Sequence, residues 1–509
     1  MSTDSPVAAP QGSSTPQQLE RSAGLWRVVF QSVGVMGPGA SIVFGLGLII
    51  SYAAGGSPLT MLLALLAAMC VAVAVGQLAT RISGAGGLYS FTSSGLGPQV
   101  GFLVGWAYVL MTVVLPSVGS LLFAIVAQDF CTTYFHFTMA WEYPALFALL
   151  VTSLAAFRGV RVSTAVNVIL GTVEVAILAL VSVLLVIKAG SSNSLSFFDP
   201  GNAHAPGAGL AKSLFLGVVY SLATFVGFDS AAQLAEEART PRRTVPRAVV
   251  LATAAIGIFY VFAMYTAVVA WPGHLSSYVT APNPWREMAG RLGSAFAVLV
   301  ALAILNSTFV LTQAGFNAAT RLLYGMASAH TLPAPLARVH PRYRTPWVAT
   351  AFALVVAIAG TLGASAKFGG PFNAFVYMIT IVSLVFIAMY ILTCLSCIVY
   401  FVRSRQHVRW LLQGALPVVG IVLLVPTLYY SGHGLSYPAS DSLPTLGIWM
   451  GLGILALIAM IIARRDIGSE ARRWLTADSQ AVAEAELAAH PGQADGQADG
   501  TGTDMEGVR

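Results

Sequence analysis

Two glycine-rich interruptions decide the fold, namely Gly34-Val-Met-Gly37-Pro38-Gly39-Ala40-Ser41 and Phe225-Val-Gly227-Phe228-Asp229-Ser230. The first lies inside an apolar stretch at 26–53 and the second inside one at 211–235. Pro38 has no N–H group to continue a helix, and the glycines weaken the helix around it. In hydrocarbon, interrupted backbone is tolerated only where protein buries it or where it lines a cavity that water enters. The two stretches therefore predict broken membrane helices beside an internal site.

The composition of the whole chain predicts a membrane protein. Of the 509 residues, 57% are hydrophobic and only 9% are charged, whereas soluble domains carry about 25% charged residues. The apolar residues form blocks long enough to cross a bilayer core of roughly 30 Å. We predict an all-α polytopic fold of twelve membrane spans. Numbered 1 to 12, they lie near 26–53, 58–80, 98–129, 143–157, 162–188, 211–235, 246–270, 293–325, 346–363, 371–402, 411–430 and 444–463.

The basic residues predict the orientation of these spans. With the N-terminus in the cytoplasm, only five of the 26 Lys and Arg residues fall outside: Lys188, Lys212, Arg286, Arg291 and Lys367. Because cytoplasmic loops are enriched in basic residues, this asymmetry predicts that both termini are cytoplasmic. Arg outnumbers Lys by 23 to 3, which indicates a bacterial genome, so we expect a bacterial inner membrane. The net charge of +6 is spread over short loops rather than gathered on one face of a folded body. We therefore expect the lipid bilayer, and no nucleic acid, as a partner.

The two ends of the chain differ from its apolar body. Residues 1–24 are polar and lack the basic and apolar regions of a cleaved signal peptide, and 466–509 include a low-complexity acidic tract. We predict disordered cytoplasmic tails at both ends, with a transmembrane domain at 25–465 between them. Within that domain, Cys394 and Cys397 would need further ligands to form a redox or zinc site. Packing as small hydrophobic residues is the interpretation that we favour.

The positions of the two interruptions suggest an internal repeat. Spans 1 and 6 are equivalent if two five-span repeats, near 26–190 and 211–402, are inverted about the membrane plane, with two further helices near 411–463. Isolated glycines often serve only to let membrane helices pack closely. Paired interruptions in corresponding spans, however, point to a binding site at the membrane midplane.

Two carboxyl groups lie well inside the predicted spans, Glu174 in span 5 and Asp229 at the span 6 interruption. Ionisable residues at this depth are costly and usually functional. A carboxyl group that takes up and releases a proton during a transport cycle is one way to couple transport to a proton gradient. Alternatively, Asp229 caps the broken helix and Glu174 forms a hydrogen bond to a neighbouring helix.

The interruptions have binding chemistry of their own. The start of a half-helix offers free N–H groups to a carboxylate, and carbonyls freed by the break can receive an ammonium group. A solute with both groups, such as an amino acid, suits such a site. Sodium would need oxygen ligands, for which Ser307, Thr308 and Thr312 in span 8 are candidates. Hydroxyl groups in membrane helices more often bond to their own backbone.

At this point the chain resembles the amino acid–polyamine–organocation (APC) superfamily of permeases. The resemblance rests on four stretches between residues 34 and 346, the most specific of which follows the span 6 interruption. The stretches are Gly84-Ala-Gly-Gly87-Leu-Tyr89 with Gly97-Pro98, Gly101-Phe102 and Gly105-Trp106; Arg158-Gly159-Val-Arg161-Val162; Gly227-Phe228-Asp229-Ser230 with Glu236-Glu237-Ala-Arg239-Thr-Pro241-Arg242-Arg243-Thr-Val-Pro246-Arg247-Ala248; and Asn317-Ala-Ala-Thr-Arg321-Leu-Leu-Tyr324-Gly-Met with Leu332-Pro333, His340-Pro341 and Thr345-Pro346.

The resemblance implies a five-plus-five inverted repeat with two extra helices, and transport by alternating access. It places the substrate at the two interruptions, with spans 3, 8 and 10 completing the pocket. The implied substrate-binding residues are Gly37, Pro38, Gly39, Ala40, Ser41, Phe225, Gly227 and Phe228. This chain departs from the resemblance in having Asp229 where the family usually has Glu, and Gly37-Pro38-Gly39-Ala40-Ser41 in place of a Gly-Ser-Gly-Ile-Phe-like run.

On the cytoplasmic side, Glu237 and Arg243 are candidates for an inner gate. The alternative is a solvated loop in which exposed ion pairs contribute little.

The sequence therefore predicts a proton-coupled permease for an amino acid or related amine, without a bound cofactor or metal. An exchanger and a sodium-coupled symporter remain open as alternatives within the transporter class. Outside that class, a solute-sensing receptor would need an output domain, and an enzyme would need a cluster of catalytic or metal-binding residues. We expect neither, and the sequence identifies no protein partner.

Overall fold

The computed structural model describes residues 23–82, 87–204, 209–281, 283–404, 409–433 and 435–463, with the backbone alone at 160–167 and 236–237. Throughout these residues the regular structure is helical, apart from a single bridge that pairs Ala23 with Ala238. The predicted tails lie outside the described residues, except for Ala23 and Gly24. Ala23 is buried, and its carbonyl accepts the N–H of Arg239 at 3.1 Å.

Long helices occupy all twelve predicted positions. They comprise Leu25–Met36 continuing at 38–53 (span 1), Ser57–Ala79 (span 2), Pro98–Phe135 (span 3), Glu142–Arg158 (span 4), Val160–Ala189 (span 5), Leu210–Thr224 continuing at Phe228–Glu237 (span 6), Pro241–Ala270 (span 7), Ser294–Ser328 (span 8), Trp347–Phe368 (span 9), Pro371–Arg403 (span 10), Leu411–Ala415 continuing at Leu416–His433 (span 11) and Ser442–Ile462 (span 12).

These helices confirm the prediction of an all-α polytopic membrane protein. Ten described segments are long and apolar enough to cross a membrane. One of them, Leu25–Ala79, contains both span 1 and span 2. The chain turns between these two spans at Ala54, whose φ angle is 44°. Span 4 is a shorter helix of 17 residues and is not among those ten segments.

Span 3 extends farther than its apolar pattern predicts. Its helix continues to Phe135, past the predicted end at 129. The charge of Asp129 ends the apolar run, but the side chain forms a bidentate ion pair with Arg286 at 3.1 and 3.2 Å. Arg286 belongs to the short helix Pro284–Gly290, which precedes span 8. A charge at the end of an apolar run therefore need not end the helix when a partner is close.

Spans 1 and 6 lie at the centre of the helix bundle. Span 1 packs on spans 5, 7 and 8, and span 3 packs on spans 8 and 10. Span 12 lies at the periphery and contacts span 3 through Trp449, which stacks on Trp106 at 4.8 Å. Each of these two indole N–H groups also donates to the backbone carbonyl of the other tryptophan, at 2.8 and 2.9 Å. The added span is thus held to the bundle, while the interrupted helices occupy its interior.

Candidate functional site

The interruption of span 1 lies at Gly37. This residue adopts a left-handed conformation, with φ 53° and ψ 71°, which glycine adopts without the steric cost that a side chain brings. The helix resumes directly at Pro38, which suits the first position of a helix because it has no N–H to satisfy. A π-helical turn, Ser41–Gly45, follows before the α-helix continues. The sequence prediction of a broken span 1 is confirmed.

Side chains from spans 5 and 8 cap the resumed half of span 1. The N–H of Gly39 donates to Glu174 Oε1 and to Ser307 Oγ, both at 2.9 Å, and the N–H of Ala40 donates to Ser307 Oγ at 3.2 Å. The other carboxyl oxygen of Glu174 accepts Asn306 Nδ2 at 2.9 Å. Because the first N–H groups of a helix have no partner within the helix, these contacts satisfy them in a buried place. Glu174 thereby links three spans.

The interruption of span 6 covers Phe225, Val226 and Gly227. Gly227 has a φ angle of 100°, and the chain resumes as the 3₁₀ helix Phe228–Glu237. The N–H of Phe228 donates to the carbonyl of Phe225 at 3.4 Å, and that of Ser230 donates to the carbonyl of Gly227 at 3.0 Å. The break predicted in span 6 is confirmed, and the tighter 3₁₀ geometry of its second half is an addition to the prediction.

Asp229 accepts hydrogen bonds from two tyrosines in other spans. Tyr108 of span 3 donates its hydroxyl to one carboxyl oxygen, and Tyr390 of span 10 donates to the other at 3.2 Å. Gln233 donates to the hydroxyl of Tyr108 at 2.5 Å. Asp229 therefore connects span 6 with spans 3 and 10 through the two tyrosines.

The two interruptions are in direct contact. Ser32, in the first half of span 1, donates to the carbonyl of Phe228 at 2.7 Å and accepts the N–H of Ala231 at 3.2 Å. A Cβ atom on Gly227 would overlap the side chain of Val35. The first half of span 1 and the second half of span 6 thus form one hydrogen-bonded unit.

A cavity lies beside both interruptions. Its volume is about 50 Å³, or about 530 Å³ when all the space between atoms and the adjoining solvent are counted. Spans 1, 3, 6, 8 and 10 supply its walls, which is the set of spans that the family resemblance implies. Among the described residues that line it, none carries a charge. They are Val35, Met36, Ala40, Ser41, Gly45, Leu48, Leu115, Val118, Leu122, Tyr220, Ala223, Thr224, Val226, Leu311, Phe375 and Ile379.

The substrate-binding candidates divide into two groups. Ala40 and Ser41 line the cavity, whereas Gly37, Pro38 and Gly39 form the turn behind it. Of the span 6 candidates, Gly227 forms the turn, and Phe225 and Phe228 pack in the interior. Phe225 contacts Tyr260 at 5.6 Å, and Phe228 contacts Tyr390 at 4.9 Å, measured between ring centroids. The interruptions thus mark the position of the cavity, while most of its wall consists of aliphatic residues.

The sequence interpretation missed several residues around the site. Tyr108 and Tyr390 hold Asp229, and Ser32 joins the two interruptions, but nothing in their local sequence distinguishes them from other buried polar residues. Tyr220 and Thr224 are the polar cavity residues that it missed. Both precede the span 6 interruption by less than two helical turns, so proximity to the break was a usable signal.

The three sodium candidates have different surroundings. Ser307 caps span 1, as described above. Thr308 donates to the carbonyls of Ile304 and Leu305, and Thr312 donates to the carbonyl of Thr308. These last two hydroxyls bond to their own helix, which is the alternative that the sequence left open. Across the described part of the chain, no group of three or more His, Cys, Asp or Glu residues is placed to hold a metal ion.

The remaining candidates lie away from the cavity. Arg243 is exposed in the first turn of span 7, and its proposed gate partner Glu237 has a side chain outside the described residues. Cys394 and Cys397 are buried free thiols in span 10. Their burial among apolar helices agrees with the packing role that we favoured for them.

Comparisons with known proteins agree with this geometry. The model of the amino acid permease family matches residues 24–460. The low-affinity putrescine importer PlaP of Escherichia coli K12 is 26% identical over 339 residues, which are 65% of this chain and 72% of the importer. The branched-chain amino acid permease BcaP of Bacillus subtilis is 22% identical over 70% of this chain and 77% of its own length. An uncharacterized transporter of Mycobacterium tuberculosis H37Rv is 28% identical over 71% of this chain and 79% of its own.

Proposed function

This chain belongs to the amino acid permease family and is a membrane transporter for amino acids or amines, and we propose that it works as a proton-coupled secondary transporter by alternating access. Its place would be a bacterial inner membrane, with both termini in the cytoplasm. The observation that carries the proposal is the position of the cavity, which lies between two interrupted helices, each with a buried carboxyl group beside its break.

The hydrogen bonds on the cytoplasmic side of the interruptions suggest how access alternates. With the N-terminus in the cytoplasm, the cavity reaches from the break into the outer half of span 1 at Gly45 and Leu48. On the cytoplasmic side of the break, the hydroxyl of Ser32 donates to the carbonyl of Phe228 in span 6. The carbonyl of Ala23 accepts the N–H of Arg239. Opening the cavity towards the cytoplasm would require this hydrogen-bonded unit to move away from spans 3 and 10.

Asp229 stands at the contact that such a movement would break. An ionised carboxyl group only accepts hydrogen bonds and can hold both tyrosine hydroxyls, whereas a protonated one uses one oxygen as a donor. Protonation of Asp229 would therefore weaken its contact with either Tyr108 or Tyr390, because one of its oxygens becomes a donor, and with it one link from span 6 to spans 3 and 10. In this proposal, a proton that reaches Asp229 favours the inward-opening movement.

Uptake into proteoliposomes tests the proposal. The purified protein is reconstituted, and the entry of labelled amino acids and amines is measured with and without an inward proton gradient, and with sodium replaced by choline. We expect at least one compound to accumulate when the proton gradient is present, with no requirement for sodium. If no compound enters, the transport proposal fails. A requirement for sodium, or for a counter-solute inside the vesicle, would replace proton coupling with symport or exchange.

Two matched variants test which carboxyl group couples uptake to the proton gradient. Asp229→Asn and Glu174→Gln each replace a carboxyl group by an amide of the same shape, which does not exchange a proton in this pH range. We expect Asp229→Asn to remove most of the dependence of uptake on the proton gradient. Glu174→Gln should keep that dependence, because Asn306 can turn its amide to meet the new side chain. The reverse pattern would assign proton coupling to Glu174. If both variants keep the dependence of uptake on the proton gradient, neither carboxyl group couples transport to protons.

A further inference from the structure

A second cavity, which we call the outer cavity, lies at the membrane face where spans 5 and 7 end. Its volume is about 320 Å³. The end of span 5, the end of span 7 with the turn after it, and Arg291 just before span 8 supply its walls. In the orientation that we propose, this is the outer face of the membrane. The outer cavity shares no lining residue with the cavity between the breaks, so it is a separate site.

The charged side chains described in the wall of the outer cavity are both basic, Lys188 and Arg291. Lys188 Nζ donates to the backbone carbonyl of Arg291, and Arg291 Nη1 donates to the carbonyl of Ala270 at 3.1 Å. Each side chain has further N–H donors beyond the one that a carbonyl accepts. Across the described residues neither cation forms an ion pair, although Glu287 lies only four residues before Arg291. The cavity therefore carries positive charge that no carboxylate neutralises.

Other basic residues on the same membrane face are paired differently. Arg286 forms an ion pair with Asp129 at 3.1 Å, and Lys367 forms one with Asp441 at 3.0 Å. The two cations of the outer cavity instead share one space, where like charges repel each other unless an anion lies between them. The outer cavity is therefore suited to an anionic ligand.

The surroundings of the outer cavity place that ligand at the surface of the bilayer. Leu180, Val183 and Ile187 lie along one face of span 5, and between 44% and 70% of each residue is exposed. In a membrane such an apolar face contacts acyl chains, and this one ends beside Lys188. Trp271 also lines the cavity, and tryptophan is enriched at the level of the lipid headgroups.

From these contacts we propose that the outer cavity binds the phosphate of an anionic phospholipid in the outer leaflet, with an acyl chain of that lipid on the exposed face of span 5. The guanidinium group of Arg291 can donate two parallel hydrogen bonds to a phosphate, and the ammonium group of Lys188 adds a compact charge. Phosphatidylglycerol fits because its headgroup has no ammonium group for these cations to repel. The bound lipid would join the ends of spans 5 and 7 to the segment before span 8, whichever solute the protein transports.

The helix ends offer these cations a different role. Lys188 lies in the last turn of span 5, and Arg291 bonds to Ala270, the last residue of span 7. Cations at such positions stabilise a helix through its dipole without any ligand. That role predicts that loss of either cation lowers stability equally in every lipid. A lipid site predicts that part of the loss appears only when anionic lipid is present.

Lipid binding to the purified full-length protein tests the proposal. Dioleoylphosphatidylglycerol is added to the protein in detergent micelles, bound lipid is counted by native mass spectrometry, and thermal unfolding is followed in parallel. Dioleoylphosphatidylcholine is the control lipid, and sodium phosphate and glycerol 3-phosphate are the soluble anions. We expect phosphatidylglycerol to bind and to raise the unfolding temperature. Phosphatidylcholine should bind at least about fivefold more weakly, and the soluble anions should have no effect at the same concentration.

Three variants locate the binding. Lys188→Gln and Arg291→Gln should each weaken phosphatidylglycerol binding about fivefold, since each removes one basic charge near the headgroup. Lys212→Gln is the matched control, because it removes an exposed lysine predicted on the same face but outside the outer cavity. Binding should be unchanged in this control.

Four results would overturn the proposal. They are equal binding of the two lipids by the unmodified protein, a response to the soluble anions as large as that to phosphatidylglycerol, unchanged binding in both cavity variants, and an equal loss in Lys212→Gln. The second would assign the cavity to a soluble anion, and the last would indicate general attraction to a basic surface. Because the first two comparisons use the unmodified protein, they decide the question even if a variant does not fold.

Discussion

The two interrupted helices each have a buried carboxyl group beside the break, but the two carboxyl groups have different partners. At span 1, the resumed half-helix is capped from outside, by Glu174 of span 5 and Ser307 of span 8. At span 6, the buried carboxyl group is that of Asp229 in the half-helix itself, and it accepts the hydroxyls of two tyrosines in other spans. Glu174 thus holds a backbone N–H group whose position is set by the helix, whereas Asp229 holds hydroxyl groups that can rotate.

This difference suggests a division of roles. A contact between a buried carboxyl group and a helix start fixes the backbone, since breaking it leaves orphan donors in an apolar interior. A contact between a carboxyl group and rotatable hydroxyls can be exchanged, because a hydroxyl can turn to another acceptor. We therefore expect the span 1 interruption to be a rigid support for the cavity and the span 6 interruption to be the part that switches.

The largest expected effect distinguishes the two glycine turns. Gly227→Ala places a Cβ against Val35 at a φ angle of 100°, and backbone strain and overpacking together should lower stability by about 4 kcal/mol. Gly37→Ala meets its nearest neighbour, Leu311 Cβ, at 3.4 Å, so only the left-handed strain of about 1 kcal/mol remains. Unfolding of both variants in detergent measures the difference. Equal losses would show that the span 6 turn is no more tightly packed than the span 1 turn.

A somewhat smaller effect is expected when Asp229 loses its acceptor role. Asp229→Ala leaves the hydroxyls of Tyr108 and Tyr390 without their buried acceptor, at a cost of about 1–3 kcal/mol for each. Asp229→Asn keeps one acceptor oxygen and should lose about half as much. Thermal unfolding of the three proteins in the same detergent gives the order. If Asp229→Ala is as stable as the unmodified protein, the contacts of Asp229 with the two tyrosines do not stabilise the fold.

The tyrosines themselves should differ from each other. Tyr108 binds both Asp229 and Gln233, whereas the described hydroxyl contact of Tyr390 is with Asp229 alone. Tyr108→Phe should therefore slow uptake more than Tyr390→Phe, with each hydrogen bond contributing about 1 kcal/mol. Initial uptake rates at saturating solute measure this. A larger loss in Tyr390→Phe would place the switching contact on span 10 instead of span 3.

The smallest effect is expected at the predicted gate residue. Arg243 is exposed at the start of span 7, and exposed substitutions usually change stability by less than about 0.5 kcal/mol. Arg243→Ala should therefore leave the uptake rate within about twofold of the unmodified protein. Arg243→Lys serves as the control that keeps the charge. A loss much greater than this in the alanine variant alone would restore the inner-gate interpretation.

The sequence was sufficient for the helices and for the positions of the two breaks. Apolar length identified the spans, and the glycines with Pro38 identified the interruptions, because both signals are local. The partners of the breaks could not be predicted in this way. Glu174 is separated from Gly39 by 135 residues and Tyr108 from Asp229 by 121, so only the folded bundle brings them together. Asp129 shows the same limit, since its partner Arg286 is 157 residues away in the sequence.

The most direct test of the central claim asks whether the solute occupies the cavity between the breaks. Ser41→Cys places a thiol on the cavity wall, and Ser51→Cys places one on the same helix away from it, in a background with Cys131→Ser. The rate of alkylation by a membrane-impermeant reagent is measured with and without the transported compound. With solute at about ten times its dissociation constant, labelling at position 41 should slow about tenfold, while labelling at position 51 stays unchanged. Equal rates at position 41 with and without solute would contradict a transport site between the two interrupted helices.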